Sequence, residues 1–198
     1  QMPEIGHPEA TELDLVAGIL SEGKTSRLYK RLVFDDQIAS DVTAFAFPLE
    51  IAGLFGVIAT AMPGQDLAEV DAAIEEEVAR FLAEGPTAEE IERIVTTRKA
   101  DFIRGVERVG GFGGKSDILA RNEVYLGDPG FYKVTLAQWE AADALSLQAV
   151  ADKWMAKGHY ALEVQPYDEY RTAENTVDRT AIPEPGPAPE VSFDDFER

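Results

Sequence analysis

Two β-like runs set the frame of this chain. Ser40–Phe47 and Leu54–Met62 are separated only by a turn that Pro48 and Gly53 bound. A connection that short implies antiparallel pairing, because a parallel crossover needs a dozen or more residues. Around this hairpin the apolar residues recur at helical spacing. Leu13, Val16, Ala17 and Leu20 do so over Glu9–Leu20, and Leu28, Tyr29 and Leu32 give a short following helix its apolar stripe. Downstream, Asp66-x-x-Glu69 reads as a capping box that opens a helix to about Ala83. Leu67, Val70, Ile74, Val78, Phe81 and Leu82 share one face of it, and Glu75, Glu76 and Glu77 are expected in solvent on the other. Gly85-Pro86 stops that helix. Thr87-x-x-Glu90 caps a second one running to about Arg108, with Ile91, Ile94, Val95, Phe102 and Val106 inward. The short connection predicts that the two helices pack on the sheet as an antiparallel pair.

Further along, Gly110–Gly114 reads as a mobile glycine-rich connection, and Ser116–Leu126 as a helix ending at a Gly127–Gly130 turn. Phe131–Ala142, interrupted near Thr135, and Ser146–Ala156 follow as helices. Gly158 sits where a helix ends, and His159–Val164 alternates like a closing strand. The expected fold is α+β, an antiparallel sheet packed against helices over residues 1–171. From Thr172 to Arg198 the composition changes. Pro183, Pro185, Pro187 and Pro189 alternate with small or acidic residues, and seven acidic residues face two basic ones. This tail is expected to be a Pro-rich acidic linker rather than core.

Composition narrows the function classes. The net charge of −19 repels nucleic acid and anionic lipid, so neither nucleic acid nor a membrane is an expected partner. With no cysteine there is no thiolate metal site. His7 and His159 are the only histidines, and neither belongs to an H-x-x-E-H or H-E-x-x-H pair. The reading therefore assigns no catalytic, no cofactor-binding and no metal-binding residue, and expects no tight zinc binding. Gly18-x-x-x-x-Gly23-Lys24-Thr25 matches the P-loop pattern by letter, which makes a P-loop NTPase one alternative. A phosphate loop needs a strand before it, whereas Thr11–Leu20 has a helical period and places Ile19 and Leu20 in the bend. A stand-alone acidic interaction domain is the other alternative. A first residue of Gln suggests a piece of a longer protein.

An ordered set of short strings carries a resemblance. It runs through Leu13-Asp14-Leu15, Ile19-Leu20, Gly23, Ser26-Arg27-Leu28-Tyr29, Leu54-Phe55 to Thr60, Pro63-Gly64 and Gly85-Pro86-Thr87. It continues through Gly110–Lys115, Gly127-Asp128-Pro129 and Tyr160-Ala161-Leu162. In these the chain resembles the pitrilysin/insulysin (insulinase) family of zinc metallopeptidases. The resemblance implies two clam-like halves, each of two similar α+β domains, with zinc bound in the first domain of the catalytic half. It also implies an Arg and a Tyr in the opposite half, whose positions fall here on Val33 and Ser40. Arg31 and Tyr29 are nearby but out of register. The chain is thereby most similar to the second, non-metal-binding domain of the zinc-bearing half. The expected function is a non-catalytic structural domain that helps enclose peptide. The implied cofactor is zinc in the parent protein's preceding domain. The implied partners are the other domains or half of the same peptidase and, in the parent, its peptide substrate. An exported or periplasmic location is suggested by the same resemblance.

Overall fold

The computed structural model describes residues 1–166 and Gly186. Residues 1–161 form one compact unit, and residues 162–198 cluster separately. The expected domain end at residue 171 and the Pro-rich linker over 172–198, Gly186 apart, fall outside the described residues.

The unit is built around helix α1 (Pro8–Ser21), whose second half is buried on nearly every side and which packs on strand β1 (Ala39–Phe47) and on three later helices. Leu13, Leu15, Val16, Ile19 and Leu20 are fully buried. His7 caps α1, its Nδ1 accepting from the Glu9 N–H at 3.1 Å. β1 pairs antiparallel with β2 (Leu54–Ala61), as the hairpin spacing predicted. The register places Val42 opposite Ala59, Ala44 opposite Val57 and Ala46 opposite Phe55, and one extra residue at Ser40 bulges the strand. The Met2 and Gly53 backbones exchange two hydrogen bonds, so the chain start lies along the hairpin turn.

Between α1 and β1 the chain makes a seven-residue π-type turn, Tyr29–Asp35, where a short helix was expected. Its wider winding still turns Leu32 fully into the core. Helix α2 (Leu67–Glu84) follows β2 and contacts that strand, the π turn and helix α6 (Ala144–Met155). Helix α3 (Ala88–Val106) instead packs on α1 and on α5 (Tyr132–Ala141). The expected antiparallel α2–α3 pair is therefore not the arrangement. Gly85-Pro86 sends the two helices to different neighbours, because α1 and α6 offer each of them an apolar face.

The caps are confirmed in part. Thr87 and Glu90 make the full capping box. Asp66 accepts from the Ala68 N–H, but Glu69 turns to Gln65 rather than back to the cap, so that box is half made. Asp143 and Ser146 form a reciprocal cap for α6. Helix α4 (Lys115–Leu126) buries only Asn122. Helix α5 runs through Thr135 without interruption, after a 3₁₀ turn over Pro129–Phe131. The glycine segment 110–114 is a closed turn: Lys115 and Ser116 donate backbone bonds to Arg108 and Val109, and Gly113 donates to Asp117. Residues 159–164 belong to no strand. Their alternation satisfies strand propensity, but a strand also needs an edge to pair with.

Candidate functional site

The Ser26-Arg27 string is a clamp. Ser26 is buried and donates to the Gly23 carbonyl at 2.6 Å, closing the turn after α1. That turn aims Arg27 at the α2–α3 connection. Its Nε and Nη2 bond the two oxygens of Glu90 at 2.7 and 2.8 Å, and Nη2 also reaches the Gly85 carbonyl at 2.8 Å. The guanidinium carbon stands 5.0 Å from the centre of the Phe81 ring, so a cation–π contact backs the fork. Glu90 is at the same time the acceptor of the α3 capping box. Burial opposes its charge, but the bonds from Arg27 and Thr87 outweigh burial and hold its carboxyl below the usual range. The Glu90 bond likewise raises Arg27 above its ordinary value, with Glu77 adding to the field.

Glu77 departs from expectation. It is fully buried rather than solvated, held by Arg80 at 2.6 Å through one oxygen. The signal lay in its spacing: Val70, Ala73, Glu77 and Phe81 form one i, i+3, i+4 stripe, and all four are buried. Glu76 instead pairs with Arg31, which also holds Asp36.

A second polar cluster surrounds a cavity of about 370 Å³ between the end of α1, β1 and α3. Arg98 bonds Asp14 at 2.7 Å and Glu22 at 2.5 Å. Burial works against the Arg98 cation, and Asp14 and Glu22 overcompensate, raising its pKa. Ser21 accepts from the Ala44 N–H at 2.7 Å, fastening the helix end to the strand. This is the ground occupied by the P-loop letters, and their geometry is wrong for phosphate. Gly18 lies inside α1, where a Cβ would stand 2.3 Å from Ile94. Lys24 is exposed, and a helix precedes the loop rather than a strand. The P-loop alternative is corrected accordingly.

The sheet has one packed face and one open face. Its inner face, Val42, Ala44, Ala46, Phe55, Val57 and Ala59, packs on the core. Its outer face pairs Asp41 with Thr60, Thr43 with Ile58, Phe45 with Gly56 and Phe47 with Leu54. Phe45 lies across Gly56, where a Cβ would fall 2.6 Å from the ring. Phe47, Leu54 and Ile58 are 58%, 52% and 62% exposed. Of the two positions the resemblance singled out, Val33 is half-buried on the π turn and Ser40 is at the strand bulge, donating to the Thr60 carbonyl at 3.2 Å. Tyr29 packs against the core edge.

The two histidines are not brought together as zinc ligands. His7 serves the α1 cap. His159 lies beside α2, its Nε2 3.6 Å from Glu75. Asp71, Glu75 and His159 place one donor atom each within 4.8 Å of one another, a grouping that sequence spacing could not disclose.

Comparison with known proteins fits this geometry. The sequence profile described as the peptidase M16 inactive domain matches residues 1–98, the stretch that holds α1, the clamp, the hairpin and α3 as far as Arg98. Over this stretch the chain belongs to the peptidase M16 inactive-domain family. The chain is thus a non-catalytic domain of metallopeptidase type. The fold is similar to that of a protease from Helicobacter pylori, at TM-score 0.68 and 24% identity over 77% of this chain and 36% of that one. It is also similar to the inactive peptidase domain of a candidate zinc protease from Bordetella parapertussis, at TM-score 0.64 and 21% identity over 76% of this chain and 79% of that one. The periplasmic protease PqqL from Escherichia coli matches at TM-score 0.61 and 12% identity, over 77% of this chain and 16% of that one. No match was found among curated protein sequences. The chain therefore spans about a third of the Helicobacter protease it resembles. Among the described residues no helix is long and apolar enough to cross a membrane.

Proposed function

We propose that this inactive domain is the second domain of the zinc-bearing half of a pitrilysin-type metallopeptidase, and that it forms part of the wall around a bound peptide. The observation that carries the reading is the sheet with one face covered and the other bare. Helix α1 packs on β1 through the inner face, while Phe45, Phe47, Leu54 and Ile58 line the outer one. A bare, partly apolar strand surface suits an extended peptide, which offers alternating side chains to a pleated face. The clamp and the arginine cluster stiffen the layer behind it. Zinc belongs, in this reading, to the preceding domain of the parent. His7 is committed to the α1 cap and does not fit a shared zinc ligand set with His159. The parent's other domains or half complete the wall, and its place is the periplasm or another exported compartment.

Photo-crosslinking in the intact parent tests this. A photoreactive residue at Ile58 is expected to label a long peptide substrate, and one at Lys30, exposed on the π turn, is not. Labelling at Lys30 with none at Ile58 would overturn the reading. Metal analysis of the parent with and without its upstream segment is the companion measurement, with loss of zinc expected on removal.

A further inference from the structure

We propose that Asp71, Glu75 and His159 form a surface site for one divalent transition-metal ion of the zinc type. The two carboxylates are four residues apart on α2 and so share a face of that helix. The imidazole arrives from beyond α6, after the chain turns at Gly158 (φ 90°). Each residue offers one donor atom, all within 4.8 Å of one another, and His159 Nε2 is already 3.6 Å from Glu75 Oε1. Ligand atoms around a tetrahedral zinc with bonds of about 2.0–2.2 Å are roughly 3.3–3.5 Å apart. Small side-chain rotations close the set.

Charge argues in the same direction. Like charges at i, i+4 repel on a helix. Among the described residues neither Asp71 nor Glu75 forms an ion pair with a lysine or arginine, and the imidazole of His159 stands 3.6 Å from Glu75. The chain as a whole carries −19. A dication relieves the local repulsion and joins the segment after α6 to α2. The donor set chooses the metal class: an imidazole with two carboxylates favours zinc, cobalt, nickel or copper, whereas calcium and magnesium prefer oxygen ligands throughout. Asp71 is half-buried and its two companions are exposed, so water fills the remaining position and the ion exchanges with solvent. Such an ion is a tether, not a catalyst, and it agrees with the expectation that no zinc is retained tightly.

The experiment is calorimetric titration of the whole chain with zinc chloride, then with calcium chloride, alongside His159→Ala and the double variant Asp71→Asn/Glu75→Gln. One zinc per chain is expected. Each variant should lose at least about tenfold in affinity, no less than the loss of an outer-shell partner costs. Zinc should raise the melting midpoint of the native chain and leave that of His159→Ala unmoved. Calcium should bind no better to the native chain than to the double variant. Equal zinc affinity in the native chain and both variants, or several equivalent weak zinc ions per chain, would overturn the site and leave only diffuse attraction to an acidic surface.

Discussion

The two faces of the β1–β2 hairpin both carry apolar side chains and are treated in opposite ways. The inner face, with Val42, Ala44, Phe55 and Val57, is closed against the core. The outer face has Phe45, Phe47, Leu54 and Ile58 and is left open. The outer face also carries the exposed Asp41, Thr43 and Thr60, so polarity separates the two in part. Size and what lies above separate them further. The inner face of β1 presents a valine and two alanines, Val42, Ala44 and Ala46, which let α1 sit close to the strand. The outer face carries larger groups, and Phe45 has spread itself over Gly56 instead of meeting a second layer. One face is therefore a stability surface. The other is exposed, and that exposure is the basis of the proposed peptide wall.

The most disruptive way to break this contrast is a charge on the covered side. Val42→Asp would bury an unpaired carboxylate and is expected to cost about 4 kcal/mol or more, seen as loss of cooperative melting. Phe81 supports the same core from α2 and is fully buried. Phe81→Ala should cost about 3–5 kcal/mol by chemical denaturation. A loss below about 1 kcal/mol would mean that α2 does not hold the layer.

Arg27→Ala comes next. It removes a bidentate partner from Glu90 and a cation from the Phe81 ring. A pair this far from both the exposed and the fully buried limits should cost about 2 kcal/mol. The clamp also carries a pH signature. The folded Glu90 carboxyl lies below its ordinary value. Its contribution is thus fully present above the unfolded carboxylate value of about 4.3 and is lost as pH falls through the lower folded value. Melting curves from pH 7 down to pH 3 should show a shallower acid decline for Glu90→Gln than for the native chain, from a lower starting midpoint. An identical pH slope would remove the clamp from the account. The smallest stability effect is expected on the open face, where Ile58→Ser should change stability by no more than about 0.5 kcal/mol. The same substitution should weaken peptide capture by the intact parent. If it destabilises the chain as much as Phe81→Ala does, the outer face is part of the core and the contrast fails.

Local pattern carried much of the architecture. The span of α1, the hairpin and its antiparallel sense, the Thr87–Glu90 box and the stop at Gly85-Pro86 follow from periodicity and caps, which depend on neighbours a few residues away. The family strings were legible too, though their job was not. Ser26-Arg27 reads as a motif in sequence and becomes a clamp only when Glu90, 63 residues on, folds against it. Glu77 was readable in principle, because its place on the Val70–Phe81 stripe competes with its charge, and the stripe prevailed.

The sequence by itself determined most of the elements and their order, the absence of a paired zinc motif and the net charge of −19. Only the tertiary structure decided that α2 and α3 separate to pack on α6 and α1, that His159 meets Asp71 and Glu75, that residues 159–164 join no strand, and that one face of the sheet is covered and the other bare. The physical reason is range. Caps, turns and periodicity are settled by dihedral preferences and hydrogen bonds within about one helical turn. Which faces meet depends on the burial offered by segments far away in the chain, and a two-residue strand period states which side chains share a face without saying which face will be covered.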